Sequence, residues 1–271
     1  MKLQASFFQV AALLLASVAA SQNKAHSTDD EERHKYNAER NISLGWLLYD
    51  GYAPLDFWGP IQILLGAALN FNITVSIIAQ KKGPISNVRK DVPVRPGAVS
   101  VSMIATHEPQ EAPPLNLLMI PGGLGNRGNA TDWIIDFVKT RFDSIDYVAS
   151  VCTGSLLLAK SSVLDSKRAT TNKAAWNDVV KHGPNVTWIP NARWTQDGKI
   201  WTSSGVAAGM DMTYALLSWM YGSEAINQTM NNIELSPHLN ADWDPYAVVH
   251  NVPGADTSRP LKDLVGPVGF D

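Results

Sequence analysis

Cys152 is the residue of this chain whose type and setting point most directly to covalent chemistry. It is the single cysteine among 271 residues, so no internal disulfide can claim it. Ahead of it, Tyr147–Val151 is a run of apolar and small residues that reads as a buried strand. Behind it, Ser155–Lys160 reads as the first turns of an apolar helix. A nucleophile at a tight strand-to-helix turn has its side chain lifted out of the sheet, with the helix N-terminus behind it. Such turns are strained and need small neighbours, which Ser150 and Gly154 supply. The helix N-terminus also favours the thiolate. A lone cysteine beside a strand is more often a buried structural residue. The small-residue frame shifts the balance toward a reactive thiol at a nucleophile elbow.

Two further stretches hold residues of a useful kind. Asp56 lies just past the first strand, where open α/β sheets place their sites. Its competing role is N-cap of the helix near Gly59-Pro60. The apolar run Leu115–Ile120 ends in Pro121-Gly122-Gly123-Leu124-Gly125. Glycines at a strand's carboxyl end let the backbone approach a ligand and aim N–H groups at it; a plain flexible turn is the alternative. No Gly-Lys-Ser/Thr follows, so this is not a phosphate loop. The histidines (His26, His34, His107, His182, His238 and His250) are scattered without metal-ligand spacing, and neither a metal nor an organic cofactor is expected. Thr153 follows Cys152, which excludes a Cys-His pair adjacent in sequence and leaves a distant histidine open.

The elements that would carry these residues alternate. Ile42–Tyr49 reads as a strand, DGYAPLDFWGP as a loop, Ile61–Leu69 as a helix and Asn72–Ala79 as a strand. This is a β-α-β unit with parallel strands and a right-handed crossover. Val92–Met103 reads as a hairpin or excursion around Pro96-Gly97. Leu115–Ile120 has the continuous apolar character of a central parallel strand. Thr131–Arg141 reads as a helix, Lys167–Thr171 as a strand and Ala174–Lys181 as a helix. Ala192–Thr195 and Lys199–Ser203 flank the hairpin signal Asp197-Gly198. Gly205–Gly209 opens a long apolar helix to Met220, with small residues suited to close packing near the elbow. Ser223–Leu235 is a last helix, Ser236–Tyr246 a loop, and 251–271 an irregular tail. The expectation is one α/β domain over 42–250, a doubly wound, mostly parallel sheet with helices on both faces.

The N-terminus reads as an address. Lys2, the apolar stretch Phe7–Ala16 and Val18-Ala19-Ala20 give residues 1–20 the form of a signal peptide. Residues 21–41 are charge-dense and read as a disordered leader. Sequons at Asn41, Asn72, Asn129, Asn185 and Asn227 point with that segment to a secreted glycoprotein. A formal charge of −3 gives no footprint for nucleic acid, and no later apolar run is long enough to span a membrane.

The segments LDFWGP, LLMIPGG, SVCTGSLLLAKSSVLDSKRATT, DGKIWTSSGVAAGMD and NNIELSPHLNADWDP carry a resemblance. From about Ile42 to Tyr246 the chain resembles the ThiJ/PfpI superfamily, of class I glutamine amidotransferase-like, flavodoxin-type fold, and within it the isonitrile hydratase branch. The resemblance implies a nucleophile at Cys152, a contacting acid at Asp56 and a required hydroxyl at Thr153. It places a Gly122 or Gly123 N–H beside the elbow as an anion donor, and it implies a homodimer acting on a small molecule. Members commonly follow RATT with His-Trp; this chain has Asn172-Lys173, which bears on substrate preference. The superfamily also supplies domains of AraC-type regulators, a reading set aside because no DNA-binding domain is expected after residue 246.

The expected chemistry is attack of Cys152 on the terminal carbon of an isonitrile. It gives a thioimidate that water converts to an N-substituted formamide, with a protonated Asp56 supplying the proton. The alternatives are an oxidisable, non-catalytic thiol and a glyoxalase-like hydratase of small carbonyl compounds.

Overall fold

A computed structural model describes residues 24–93 and 96–261. The expected signal peptide and the end of the tail lie outside the described residues. Six strands form the central sheet: β1 (Ile42–Leu47), β2 (Ile73–Ile78), β5 (Leu117–Ile120), β6 (Tyr147–Ser150), β9 (Trp194–Asp197) and β10 (Ile200–Ser203). Their order is β2-β1-β5-β6-β10-β9; every pair is parallel except β9 with β10. Strands β5 and β6 are buried along their whole length, as continuous apolar runs in parallel sheets require. Around the sheet lie α1 (Asp30–Ala38), α2 (Pro54–Ala67), α3 (Asp132–Arg141), α4 (Ser155–Lys160), α5 (Trp176–Val180), α6 (Val206–Tyr221), α7 (Ser223–Asn232) and α8 (Tyr246–Val249). This is the expected doubly wound, flavodoxin-like class, with an antiparallel edge.

The Asp197-Gly198 hairpin forms as its turn residues demand, with Gly198 at φ +58°. The small residues of α6 serve close packing: a Cβ at Gly209 would meet Val151 Cγ1 at 2.5 Å, right beside the elbow.

Several expectations are corrected. The helix expected from Ile61, α2, begins at Pro54. Pro54 fits the opening turn, where its missing N–H costs nothing, and Pro60 is carried inside because Phe57, Ile61 and Leu64 around it are buried. Asp56 is therefore a first-turn residue rather than an N-cap; the cap position is Ala53. The antiparallel excursion pairs β3 (Gly83–Ser86) with β4 (Ser102–Ala105), so its first strand lies ahead of the expected 92–103 segment. The strand expected within Lys167–Thr171 is present as β7 (Arg168–Ala169), which pairs with β8 (Thr187–Trp188) outside the main sheet.

The leader is ordered where it is described. Asp29 caps α1 by accepting from Glu32 N–H, and the helix docks through polar anchors. Buried Arg33 donates from Nε to Trp219 O at 2.7 Å and lies 3.5 Å over that indole ring; Asn37 reaches Met220 O and the Tyr147 hydroxyl. At the other end the described part of the tail also packs, with Val252 buried against Trp176 and Ala247.

Candidate active site

The sheet order brings the site together. β1, β5 and β6 are neighbours, and the chain leaving each of them carries one part: Asp56 after β1, Gly122-Gly123 after β5 and Cys152 after β6. Such a cluster at the carboxyl ends of parallel strands is where doubly wound sheets bind ligands. The loops are tied by backbone bonds from Ala53 N–H to Gly122 O at 2.9 Å and from Val151 N–H to Ile120 O at 2.9 Å.

Cys152 sits at φ +58°, a left-handed conformation that costs a non-glycine residue about 1 kcal/mol or more. The elbow is a single 3-10 turn, Cys152–Gly154, leading into α4. Gly154 is forced, since a Cβ there would meet Ile120 O at 2.4 Å. The residue is scarcely open to solvent, at 7 % exposure.

Asp56 is wholly buried, and its Oδ2 accepts from Gly122 N–H at 2.8 Å. Its Oδ1 has no regular hydrogen-bond partner among the described residues, and the Cys152 thiol lies within reach of the carboxyl. Burial raises the Asp56 pKa to about 7, against the pull of the Gly122 bond. Burial, then the adjacent Asp56 charge, pushes the Cys152 thiol upward as well. Desolvation opposes the pull of one short helical turn toward the thiolate, and a carboxyl group able to exchange the proton lies beside the sulfur. Thr153 N–H and the Asn172 side chain are the neighbours that favour sulfur's anionic form.

Thr153 is present as expected, and its surroundings give it a direction. Its Oγ1 accepts from Gly123 N–H at 3.1 Å and from Asn126 Nδ2 at 3.1 Å. Those bonds leave the hydroxyl hydrogen as the donor it can offer elsewhere. The two glycines are corrected: their N–H groups are spent on Asp56 and Thr153 and organise the catalytic side chains rather than waiting for an anion.

Asn126 and Tyr49 were not foreseen. Asn126 is buried and also donates to Thr153 O at 2.8 Å. The Tyr49 hydroxyl donates to Pro121 O at 2.8 Å, bracing the Pro-Gly-Gly turn. A polar residue inside PGGLGN was the available signal for Asn126; Tyr49 had none. Asn172, flagged as a departure, is fixed with its Oδ1 accepting from Ala175 N–H at 3.0 Å, which turns its amide nitrogen toward the sulfur. Among the described residues no histidine bonds Cys152, and no three His, Cys, Asp or Glu side chains group as metal ligands.

A model of the DJ-1/PfpI family matches residues 45–218. The isonitrile hydratase of Pseudomonas putida is 27% identical over 198 residues, covering 72% of this chain and 79% of that one. A ThiJ/PfpI family protein from Pseudomonas syringae superposes with a TM-score of 0.63 at 22% identity, covering 73% of this chain and 77% of the other. Drosophila melanogaster DJ-1beta does so at 0.57 and 16%, covering 73% and 100%. With the family match spanning more than half of the sequence, the chain belongs to the DJ-1/PfpI family.

Proposed function

We propose that the protein is a cofactor-independent, thiol-dependent hydratase of the isonitrile hydratase type. The observation that carries this reading is the buried Asp56 carboxyl, pushed up to about 7, within reach of a Cys152 thiol at a strained elbow. Asp56 takes the thiol proton as sulfur bonds to the terminal isonitrile carbon, then gives that proton to the same carbon. The product is a thioimidate, R–N=CH–S–Cys152. Water adds across the C=N bond, with Thr153 or Asp56 guiding it. The C–S bond then breaks to release R–NH–CHO and restore the thiol. Each proton returns and no electron is gained or lost.

The named activity of the Pseudomonas putida relative supports this reading. An oxidisable sensor thiol calls for an exposed sulfur, and Cys152 is buried. Incubation with alkyl and aryl isonitriles, formamide being followed by mass spectrometry, tests the reading. Turnover no faster than a Cys152→Ala control refutes it, and parallel α-oxoaldehydes test the glyoxalase-like alternative.

The assembly and address belong to the same proposal. Leu55, Trp58, Leu65 and Leu69 are exposed at helical spacing along and just beyond α2, an apolar stripe suited to a second copy of this chain in a two-fold homodimer. The protein is secreted and glycosylated; the asparagines at 41, 72, 129, 185 and 227 are all exposed, as glycan attachment needs. An N-terminus at Ser21 and a mass shift on deglycosylation are the expected results.

A further inference from the structure

A cavity of about 330 Å³ opens at the carboxyl end of β10, lined by Asn172, Lys173, Arg193, Ser204, Asp244 and the first turn of α6. We propose that it is a carboxylate-binding subsite and that the small substrate attacked by Cys152 carries a carboxylate held there by Arg193. The attack on that substrate rests on the hydratase reading; the subsite does not.

Arg193 is 6 % exposed and rigidly held. Its backbone N–H donates to Ala241 O at 2.7 Å, its carbonyl accepts from Ser204 N–H at 2.8 Å, and its Nε donates to Asp211 Oδ2 at 2.6 Å. The terminal nitrogens Nη1 and Nη2 have no hydrogen-bond partner among the described residues, and they are not sealed away from open space. A guanidinium carries four N–H donors on those two atoms, in a planar fork that fits a carboxylate bidentately.

Other donors face the same space. Lys173 Nζ donates to Thr170 Oγ1 at 2.7 Å and Ala192 O at 2.8 Å, and in its ammonium form, which a bound anion favours, it has a third N–H to offer. The N-cap of the sixteen-residue α6 is Gly205, which has no side chain to cap the free N–H groups of the first turn. The acceptors, in contrast, are engaged. Asp244 Oδ2 accepts from Ser204 Oγ and Oδ1 from Tyr246 N–H; Asp211 Oδ1 accepts from His238 N–H at 2.9 Å. A surplus of buried donors beside engaged acceptors calls for a ligand that only accepts, and an ionised carboxylate is such a group. Asn172 lines the cavity and also touches the sulfur, which places the cavity one side chain away from Cys152. The volume lies at the small end of ligand pockets, which limits the substrate to a compact molecule.

Calorimetric titration of the intact protein with propionate and with propionamide tests the subsite without any isonitrile. Propionate is expected to bind at least about tenfold more tightly, the order of one charge-assisted contact. Ala207→Glu places a carboxylate at an exposed lining position in the first turn of α6, where an acidic residue suits the helix. It should abolish the propionate preference and leave propionamide unchanged. Arg193→Lys, which keeps a cation for Asp211 but loses the fork, should weaken propionate alone. In turnover, kcat/KM for 3-isocyanopropionate should exceed that for its methyl ester about tenfold or more. Equal binding of the two probes, an Ala207→Glu variant that keeps the preference, or faster turnover of the ester overturns the proposal. Inorganic phosphate binding more tightly than propionate also overturns it, by making this a site for a free oxyanion. A protein that prefers propionate yet hydrates no isonitrile upholds the subsite and refutes the hydratase reading alone.

Discussion

Asp56 and Lys173 both titrate at about 7, and burial brings them there from opposite sides: it lifts the carboxyl group and depresses the amine. Their surroundings differ. Around Asp56 the nearby backbone donors are committed, Gly122 N–H to its own Oδ2 and Gly123 N–H to Thr153. Around Lys173 and Arg193 donors outnumber free acceptors and a cavity adjoins them. The first corner is closed around a proton; the second is open to a ligand. One physical cause, desolvation, yields acid–base chemistry where the polar groups are paired off and recognition where they are not.

The widest break in this comparison comes from the closed corner. Cys152→Ala should lower kcat/KM by about a thousandfold or more, and Cys152→Ser nearly as far, since a serine hydroxyl is a far poorer nucleophile at neutral pH. Formamide release measures both. The same site separates chemistry from strain. Replacing Cys152 by Gly removes the positive-φ penalty at φ +58° and should raise stability by about 1 kcal/mol in urea unfolding. A full-activity Ser variant would contradict thiol attack.

Asp56→Asn keeps an acceptor for Gly122 N–H but cannot carry a proton between sulfur and carbon, so kcat/KM should fall about a hundredfold or more. In the wild type kcat/KM should drop as pH falls through about 7, because the carboxylate that takes the thiol proton is lost. The groups facing it are Cys152, Tyr49 and Gly122 N–H, and the asparagine variant should lack this limb. Stability has the opposite sign. The folded pKa lies above the unfolded one, so the wild type loses stability as pH rises from about 4 through 7. Asp56→Asn should gain up to about 4 kcal/mol at pH 9 and little at pH 4, read from thermal unfolding. A gain independent of pH would show that Asp56 is not the buried acid described.

Gly122→Ala tests whether the corner is as closed as described. The new Cβ would meet Thr153 N at 2.6 Å, Thr153 Oγ1 at 2.7 Å and Asp56 Oδ2 at 2.9 Å. Backbone must shift, at a cost of about 1–3 kcal/mol, and kcat/KM should fall at least about tenfold. The propionate preference should survive, since the cavity shares none of these atoms. Loss of both together would merge the two corners into one site.

Legibility in the sequence followed physical type. The central strands, the hairpin and the elbow announce themselves through apolar runs, Asp-Gly and small neighbours, so the sheet and Cys152 could be placed. The docking of α1 could not, because its anchors are Arg33 and Asn37, which a hydropathy pattern scores as solvent-facing. The extent of α2 was hidden by Gly59-Pro60, a breaker signal overridden by tertiary burial of Phe57 and Ile61. At the site, residue type and setting pointed to Cys152 and Asp56, and the family resemblance added Thr153. What the glycines do depends on where their N–H groups point, and the cavity depends on which Arg193 nitrogens lack partners. Both are facts of three-dimensional pairing that no linear pattern contains.

The smallest effect on chemistry is expected from the stripe on α2, which ties assembly to the closed corner and not to the cavity. Trp58, 43 % exposed, lies two residues from Asp56, while Leu65 lies more than two turns from it. Leu65→Glu adds charge to an exposed position, where substitutions alter a monomer's own stability by about 0.5 kcal/mol or less, but in a two-fold interface it sets two like charges close together. Light scattering on deglycosylated protein should give a dimer for the wild type at micromolar concentration and a monomer for Leu65→Glu. Deglycosylation belongs to the test because a glycan at either exposed sequon position, Asn72 or Asn227, would crowd such a surface. The monomer should keep the tenfold preference for the acid over its ester, with kcat/KM within about threefold of wild type, because Arg193 and the first turn of α6 belong to other elements. A monomeric wild type would contradict the dimer. A variant that became monomeric and lost the acid preference would instead show that the partner reaches the cavity and that the two corners are joined through the interface.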